Sequence, residues 1–372
     1  MTRLRLAVVG AGHLGRFHAR IAANLPDARL VAVVDPIADA RNQLAAETGS
    51  KPLEHFQDLF GMADAVILAT PTESHYKIAR ELLTGGIHVL VEKPVTTTVA
   101  EADELVQLAQ RQQLTLQVGH IERFNPALTA VRDRLREPKY ITARRLSPYS
   151  FRSTDIGVVH DLMIHDIDAV LSLVKSPITR VDAVGISVLG NSEDMVDARL
   201  HFSSGCIANL TASRVSFVAE RTMQVFTDEC CATLDMGSRK ARLVSTTHEI
   251  LSRQFQVDTL STDQKAMLRE QMFAELLVKS EVTVEDANAM QLEQLDFARA
   301  IRTSTDPQVT GVDGRDALAV AELILQKVAA HQWDGIAGRR QGPLAQPYFE
   351  SVLEADDFWS EEDTVILRRK AG

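Results

Sequence analysis

A glycine-rich segment near the N-terminus constrains the fold more than any other feature of this 372-residue chain. Residues 10–15 (GAGHLG) follow the apolar run LRLAVV and precede a stretch with helical periodicity. A second apolar run ends in Asp35, about 20 residues beyond the last glycine. A strand, a G-x-G-x-x-G turn, a helix and a following acidic residue form the fingerprint of a dinucleotide-binding βαβ unit. We therefore predict an N-terminal Rossmann domain.

The residues of this unit also predict the cofactor. Gly10 would permit the tight turn, Gly12 would let main-chain N–H groups approach the pyrophosphate, and Gly15 would let the helix pack on the strand. Asp35 would accept hydrogen bonds from the adenosine ribose, and a 2′-phosphate would meet its carboxylate. No arginine follows directly, so NAD is predicted rather than NADP. The predicted cofactor-binding residues are Gly10, Gly12, His13, Leu14, Gly15, Asp35, Thr70, Pro71, His75, Glu92 and Lys93.

The segment at residues 86–94 (GIHVLVEKP) predicts where the chemistry takes place. It is an apolar, β-branched run, typical of a buried strand, and it ends in Glu92, Lys93 and a proline. Ligands of open parallel sheets bind at the carboxyl ends of the strands. The preceding strand likewise ends in Thr70 and Pro71, and His75 follows in the next helix. We expect all of these residues beside the cofactor.

The pattern changes near residue 125, where the alternation of strands and helices gives way to short, consecutive strands. We predict an NAD-binding domain at residues 1–125, an α/β domain for substrate binding and oligomerisation at 126–335, and a C-terminal arm or tail at 336–372. The strands of the second domain have turn signals between them, which indicates an antiparallel sheet. Two amphipathic helices at 290–302 and 316–331 return toward the core, with residues 310–314 as the turn between them.

Composition argues against several classes of protein. The formal net charge of -10 disfavours nucleic-acid and anionic-membrane partners, which require clustered Lys and Arg. No apolar run is long enough for a membrane span, and the chain begins directly with a strand, so we expect a cytoplasmic protein. Cys206, Cys230 and Cys231 are too few and too oddly spaced for a disulfide framework, and we interpret them as reduced thiols.

A histidine and two aspartates in the second half supply candidate proton-transfer groups. Residues 159–174 have a helical pattern in which Asp161, His165 and Asp168 lie opposite the apolar stripe, at positions i, i+4 and i+7. A carboxylate one turn from an imidazole can orient the ring and stabilise it after it accepts a proton. An ordinary solvated face is the alternative. We favour a base, because the cofactor half that ends in Lys93 offers no other candidate.

A metal site built from His160, Asp161 and His165 is less favoured. The two histidines are five residues apart, and a regular helix does not direct both toward one ion. We therefore predict no bound metal. The chain also lacks a sequence signature of a serine or cysteine nucleophile.

The segments GAGHLG, VVDP, ATPTESH, GIHVLVEKP and DLMIHDID, in this order and spacing, closely resemble the Gfo/Idh/MocA family of NAD(P)-dependent sugar and polyol oxidoreductases. The resemblance covers about residues 4–330. It implies a Rossmann domain followed by an α/β domain with a large, open, mostly antiparallel sheet that often forms oligomer contacts, so we expect a homodimer or homotetramer. It also implies that Lys93, Asp161 and His165 meet around the nicotinamide. We assign His165 as the base, Asp161 as its orienting partner and Lys93 as the group that binds and polarises the reacting oxygen, although members differ over whether the histidine or the lysine is the base.

A further segment implies a substrate. GHIERFNPA, together with residues 152–168, resembles the branch of the family that oxidises the 3-hydroxyl of UDP-N-acetylglucosamine and supplies a ketone to an aminotransferase in lipid A synthesis. A UDP-sugar substrate is therefore expected, with Arg123 and Arg152 as ligands of its diphosphate. Two alternatives remain open: a dehydrogenase of inositol or a free sugar, and a non-catalytic NAD-binding regulator.

Overall fold

The first part of the fold is a six-stranded parallel sheet in the order β3-β2-β1-β4-β5-β6. The structure is a computed structural model that describes residues 3–151, 156–333 and 341–344. The strands are β1 (Leu4–Val9), β2 (Ala28–Val34), β3 (Lys51–Leu53), β4 (Ala65–Leu68), β5 (His88–Glu92) and β6 (Leu116–Gly119). Most of their residues are buried, because helices cover both faces of a parallel sheet.

Four helices connect these strands. They are α1 (His13–Ala22), α2 (Ala38–Thr48), α3 (Thr72–Thr84) and α4 (Val99–Gln112). Thr98 caps α4: its hydroxyl accepts a hydrogen bond from the main-chain N–H of Glu101 at 3.3 Å, and the Glu101 carboxylate accepts one from the N–H of Thr98 at 3.2 Å. This capping box explains why the helix begins at Val99.

The second part is an eight-stranded sheet in the order β14-β13-β12-β11-β7-β10-β9-β8. Its strands are β7 (Tyr140–Leu146), β8 (Ile178–Ile186), β9 (Met195–Phe202), β10 (Ile207–Ser213), β11 (Glu220–Phe226), β12 (Cys230–Asp235), β13 (Lys240–Thr246) and β14 (Leu277–Val282). β7 and β10 pair in parallel, whereas the other neighbours pair antiparallel. The predicted fold class, a Rossmann domain followed by an α/β domain with a mostly antiparallel sheet, is confirmed.

Helices cover one face of this second sheet, which we call the inner face. The remaining helices are α5 (Pro126–Thr129), α6 (Ile164–Leu173), α7 (His248–Leu251), α8 (Thr262–Gln271), α9 (Ala289–Thr303) and α10 (Gly311–Ala330). Ile141 and Ala143 of β7 point to the inner face, where they share a core with Ile167 of α6 and Ile324 of α10. The carboxyl end of β7 therefore lies under the helix that carries His165.

α9 and α10 join the two sheets. Phe297 of α9 is 1% exposed and packs in the core on one face of the parallel sheet. Leu318 of α10 packs in the core on the other face, whereas Ala321, one turn later, belongs to the core of the second sheet. The domain boundary at residue 125 stays a prediction. Both helices follow that boundary in sequence and yet complete the core of the Rossmann sheet.

The start of α10 corrects the sequence analysis. Residues 310–314 were predicted to be a turn, but Thr310 caps the helix in a capping box with Asp313, and the helix begins at Gly311. A Cβ on Gly311 would lie 2.7 Å from Leu116 Cδ2, and one on Gly314 would collide with the side chain of Val118. The two glycines therefore permit close approach of the helix to β6.

Two further predictions concern the periphery of the chain. Within the described ranges, no helix is long and apolar enough to cross a membrane. The C-terminal arm predicted at residues 336–372 lies outside the described residues, except for 341–344.

Candidate active site

The glycine-rich loop leaves space for a pyrophosphate. Gly10 has a left-handed φ of +103°, and a Cβ there would collide with the carbonyl oxygen of Ala69. A Cβ on Gly15 would collide with the carbonyl oxygen of Gly10. By contrast, a Cβ on Gly12 would meet no atom of the described residues within 4 Å, and no side chain among them caps α1 at this end. The first amides of α1, together with the exposed His13 and Leu14, therefore face open space that fits an anion.

Asp35 closes this loop from the end of β2. Its carboxylate accepts hydrogen bonds from the main-chain N–H groups of Ala11 at 2.7 Å and Ile37 at 2.8 Å. Each carboxylate oxygen keeps lone pairs for the hydroxyls of a ribose. Arg41, which the sequence analysis did not consider, donates to the carbonyl oxygens of Asp35 and Pro36 and to the Glu54 carboxylate. The Arg41 guanidinium, although close to Asp35, is thus already hydrogen-bonded to groups of the protein.

His75 has a different position from the one predicted. Its ring is 1% exposed. Nδ1 lies 2.9 Å from the carbonyl oxygen of Pro94, and Nε2 lies 2.8 Å from that of Thr70. Burial lowers the pKa of the ring, so it is neutral and donates to one of the two carbonyls. His75 therefore ties the loop of Thr70 and Pro71 to the end of β5, and this geometry does not support direct contact with the cofactor.

Glu92 belongs to a buried network that the sequence analysis missed. Its Oε1 lies 2.7 Å from Nε2 of His18, and its Oε2 accepts from the main-chain N–H of Lys93 at 3.2 Å. The Gln294 amide nitrogen lies 3.0 Å from His18 Nδ1 and 3.2 Å from the His18 carbonyl oxygen. Because that carbonyl can only accept, the Gln294 nitrogen must be the donor, so Nδ1 accepts and Nε2 donates to Glu92. Burial acts to raise the pKa of Glu92, but the hydrogen bond from His18 and the charge of Lys93 lower it overall.

Glu293, the neighbour of Gln294, is the second carboxyl group of this network. It is 1% exposed, and its Oε1 has no hydrogen-bond partner among the described residues. Burial, and then the negative charge of Glu92, raise its pKa well above the ordinary value. The network has no local pattern that could have revealed it, because Gln294 and His18 are far apart in the chain.

Lys93 connects the two domains. Its ammonium group donates a hydrogen bond to the carbonyl oxygen of Asp161 at 2.6 Å and lies 3.4 Å from Asp161 Oδ1. The peptide bond between Lys93 and Pro94 is cis. One of the three N–H groups of Lys93 is used by the Asp161 carbonyl, which leaves others for a substrate oxygen. Both side chains are partly exposed, at 14% for Lys93 and 29% for Asp161.

Asp161 is not the orienting partner of His165, and this corrects the sequence analysis. The segment predicted to be a regular helix begins with a π-helical turn, Val159–Met163, and α6 starts at Ile164. A π-turn holds more residues than an α-turn, so residues i and i+4 across it no longer stack. The Asp161 carboxylate consequently turns to Lys93, and His165 Nδ1 is buried without a partner among the described residues.

His165 is nevertheless a neutral imidazole close to Lys93. Its ring is half-buried and meets the ring of His120 edge-on, with 6.2 Å between the centroids. Burial, and then the charges of Lys93 and Arg145, hold its pKa well below the usual range. Burial also lowers the pKa of His120 to about 3. Both rings are therefore uncharged near neutral pH, and His165 is able to accept a proton.

The prediction that no metal is bound rested on a regular helix, which the π-turn replaces. Within the described part of the chain, no group of three or more His, Cys, Asp or Glu residues is arranged to hold a metal ion. His160 is one of the unpartnered groups: its Nε2 is buried without a hydrogen bond to any described residue, and burial lowers the pKa of its ring.

Arg123 is also placed differently from the prediction. Its side chain is 4% exposed and lies 3.5 Å from the Asp168 carboxylate and 3.3 Å from that of Asp313. It also donates to the carbonyl oxygen of Gln308 at 3.0 Å. These contacts make Arg123 and Asp168 internal partners, not ligands of a diphosphate or members of an exposed helix face. Arg152, the other predicted ligand, lies outside the described residues.

The parallel sheet offers an open anion cradle and, at the end of β5, a lysine, and the second domain adds a neutral histidine. Together these features define a nicotinamide-dependent oxidoreductase. Two family models match the chain: the oxidoreductase family with an NAD-binding Rossmann fold at residues 4–120, and the GFO/IDH/MocA C-terminal domain at residues 129–232. The chain belongs to the Gfo/Idh/MocA family of oxidoreductases. NAD is its cofactor.

Relatives of this chain include dehydrogenases of a sugar nucleotide and of an inositol. The chain is 39% identical over 236 residues to the UDP-N-acetylglucosamine 3-dehydrogenase of Acidithiobacillus ferrooxidans, covering 63% of this chain and 75% of that protein. The solved structure of that enzyme superimposes with a TM-score of 0.77 at 32% identity, covering 88% of this chain and 98% of the other. The NAD-dependent scyllo-inositol 2-dehydrogenase of Bacillus subtilis is 30% identical over 236 residues, which span 58% of this chain and 68% of the relative.

Proposed function

We propose that the protein oxidises a secondary hydroxyl of a sugar nucleotide, and specifically the 3-hydroxyl of UDP-N-acetylglucosamine, to the ketone. The observation that carries this proposal is the similarity to the UDP-N-acetylglucosamine 3-dehydrogenase at 39% identity, together with a matching fold over 98% of that chain. The neutral base and the lysine at the domain junction support the oxidation of an alcohol.

Lys93 and His165 divide the work on the substrate hydroxyl. NAD, when bound, supplies the acceptor for the hydride that leaves the carbinol carbon. Lys93 donates a hydrogen bond to the substrate oxygen and stabilises the negative charge that develops there. His165, which is neutral, accepts the hydroxyl proton at Nε2, the ring nitrogen that is not among the buried, unpartnered atoms. Asp161 holds Lys93 through its carbonyl oxygen, and Glu92 holds the same strand end through the Lys93 N–H.

A dehydrogenase of inositol or a free sugar is the second candidate. It is supported by the scyllo-inositol 2-dehydrogenase among the relatives and by the internal ion pairs of Arg123, which remove one predicted diphosphate ligand. The third idea, a non-catalytic regulator, has no comparable support, because a regulator requires neither a polarising lysine nor a neutral base.

We also propose two kinds of partner, a downstream enzyme and further copies of this chain. A 3-keto sugar nucleotide is a substrate for an aminotransferase, so we expect such an enzyme to consume the product, as in lipid A synthesis. We also expect a homodimer or homotetramer, with the uncovered face of the second sheet as the contact.

The test is NAD reduction by the purified protein, followed by nicotinamide absorbance with a carbonyl trap that removes the ketone. UDP-N-acetylglucosamine, other UDP-sugars, scyllo- and myo-inositol, and free glucose are compared at equal concentrations, with NADP in a parallel series. The proposal expects reduction with UDP-N-acetylglucosamine at a kcat/KM well above that for the neutral polyols. If only inositol or glucose supports NAD reduction, the second candidate is favoured. If none of the compounds supports NAD reduction, the regulator is favoured.

A further inference from the structure

The inner face of the second sheet carries two neighbouring arginines next to the candidate active site. β7 and β11 pair antiparallel, with Arg145 directly opposite Arg221. Met223 and Val225, which follow Arg221 at alternate positions, are buried in the core beneath α6. Because side chains alternate along a strand, Arg221 points to the same face as these residues.

The two arginines differ in their partners. Arg145 is buried, and its guanidinium donates to Asp166 at 2.8 and 2.9 Å and to Glu122 at 2.8 Å. Arg221 is exposed, and no described residue forms an ion pair or a side-chain hydrogen bond with it. Arg145 is buried and uses three of its five N–H groups on these two carboxylates, whereas Arg221 is exposed and uses none of its five on a described side chain.

Arg221 is close enough to the reaction site for its charge to act there. Arg145 links the two places: it lies opposite Arg221 on the paired strands, and it binds Asp166, which directly follows His165. Burial lowers the pKa of His165 and raises the pKa of Asp166, and the positive charge of Arg221 makes a smaller, lowering contribution to each. A ligand that spans the distance from His165 to Arg221 would have its reacting hydroxyl at one end and its anionic group at the other.

We propose that Arg221 binds the anionic part of the substrate, a diphosphate if the substrate is a sugar nucleotide. This inference rests on the proposed function for the identity of the ligand, and it assigns to Arg221 the role predicted for Arg123. A guanidinium suits the role because it forms two parallel hydrogen bonds with phosphate oxygens. The structural alternative is that Arg221 only neutralises charge. Glu122 and Asp166 carry two negative charges, and Arg145 supplies one positive charge.

The variant Arg221→Met tests the inference, and Arg144→Met is the matched control. Arg144 is the neighbour of Arg145 on β7, so it points to the opposite face of the same sheet, where it lies 3.4 Å from Glu220. Binding of UDP and of uridine to the NAD-loaded proteins is measured by calorimetry, and KM and kcat are measured with UDP-N-acetylglucosamine. We expect Arg221→Met to weaken UDP binding by about 10- to 100-fold, the value of a charged hydrogen-bonded contact, and to raise KM more than it lowers kcat.

The remaining outcomes separate the two proposals. Uridine and NAD affinity should be the same in wild type and Arg221→Met, and Arg221→Lys, which keeps the charge without the fork, should bind UDP with intermediate affinity. The inference is overturned if UDP affinity changes by less than about twofold in Arg221→Met, if Arg144→Met loses as much, or if wild type binds no UDP. Wild type that binds UDP through Arg221 but does not oxidise UDP-N-acetylglucosamine would overturn the proposed reaction and leave the anion site standing. A purely charge-balancing role would appear as lowered thermal stability without a change in UDP affinity.

Discussion

The ammonium group of Lys93 donates a 2.6 Å hydrogen bond to the main-chain carbonyl oxygen of Asp161. Lys93 follows the last residue of β5, and Asp161 lies in the π-helical turn before α6, so the bond joins the Rossmann domain to the second domain. Because the acceptor is a main-chain atom, the position of the lysine does not depend on the carboxylate of residue 161 alone.

Lys93→Met should reduce kcat by about 100- to 1000-fold, the cost of removing one charged donor from a developing oxyanion. Asp161→Asn should cost less, about 10-fold, because the carbonyl oxygen that holds Lys93 is retained. NAD affinity, measured by fluorescence titration, should stay within about twofold of wild type in both variants. Loss of NAD binding in Lys93→Met would instead assign the lysine a structural role.

His165 should produce an unusual pH profile. Its pKa is depressed by burial and by the charge of Lys93, so the ring stays neutral until the pH falls well below the ordinary value of 6.5. The acidic limb of kcat/KM, which reports the free enzyme, should therefore have its midpoint below 6.5. His165→Asn should lower kcat by about 100- to 10,000-fold and abolish that limb. A limb centred above pH 7, or one unchanged in the variant, would mean that another group is the base.

Two glycines in the cofactor loop should respond oppositely to alanine. A methyl group at Gly12 meets open space, and its φ of -70° is allowed for alanine, so Gly12→Ala should leave the free energy of unfolding almost unchanged. NAD affinity should fall by at least about 10-fold, because the methyl group occupies the pyrophosphate space. Gly15→Ala should destabilise the fold by about 1–3 kcal/mol, because its methyl group collides with Gly10. Equal effects on NAD affinity and stability in the two variants would contradict the cradle.

The Arg145 cluster should be sensitive to the loss of its cation. The side chains of Arg145, Glu122 and Asp166 are each under 10% exposed. Arg145→Met would leave two buried carboxylates without their cation and should cost about 3–5 kcal/mol in urea unfolding. Arg180→Met provides the control: Arg180 forms its ion pair with Asp182 at 68% exposure, and the loss should be under about 1 kcal/mol. Similar losses of unfolding free energy in the two variants would contradict the greater importance of the buried ion pairs.

Glu293→Gln should stabilise the protein, but only above acid pH. The raised pKa keeps Glu293 protonated when folded, whereas the unfolded chain releases the proton once the pH exceeds about 4.5. Wild type therefore loses stability as the pH rises from that value toward the pKa of the folded state, by about 1.4 kcal/mol per unit of pKa difference. Glutamine does not ionise, so thermal unfolding should show the two proteins alike near pH 4 and the variant more stable near pH 8. Glu137→Gln, at an 88% exposed side chain, should show no such pH-dependent gain.

Local sequence patterns sufficed for the strands, the glycine-rich loop and the strand-end residues of the cofactor half, but not for the roles of His75 and Glu92. The loop between β1 and α1, the placement of Asp35 and Lys93 at strand ends and the capping box at Thr98 all depend on residues a few positions apart. Strand periodicity, glycine conformation and helix capping act over that range, so the sequence by itself determined the Rossmann fold and the edge at which the chemistry lies.

Only the tertiary structure decided which side chains meet. Because of the π-turn before α6, Asp161 contacts Lys93 instead of His165. Arg123 forms ion pairs with Asp168 and Asp313 instead of remaining available to a ligand. Gln294 reaches His18 across 276 positions of the chain. A buried polar group must be paired with whatever donor or acceptor the packing brings near, and packing joins residues that no local periodicity relates.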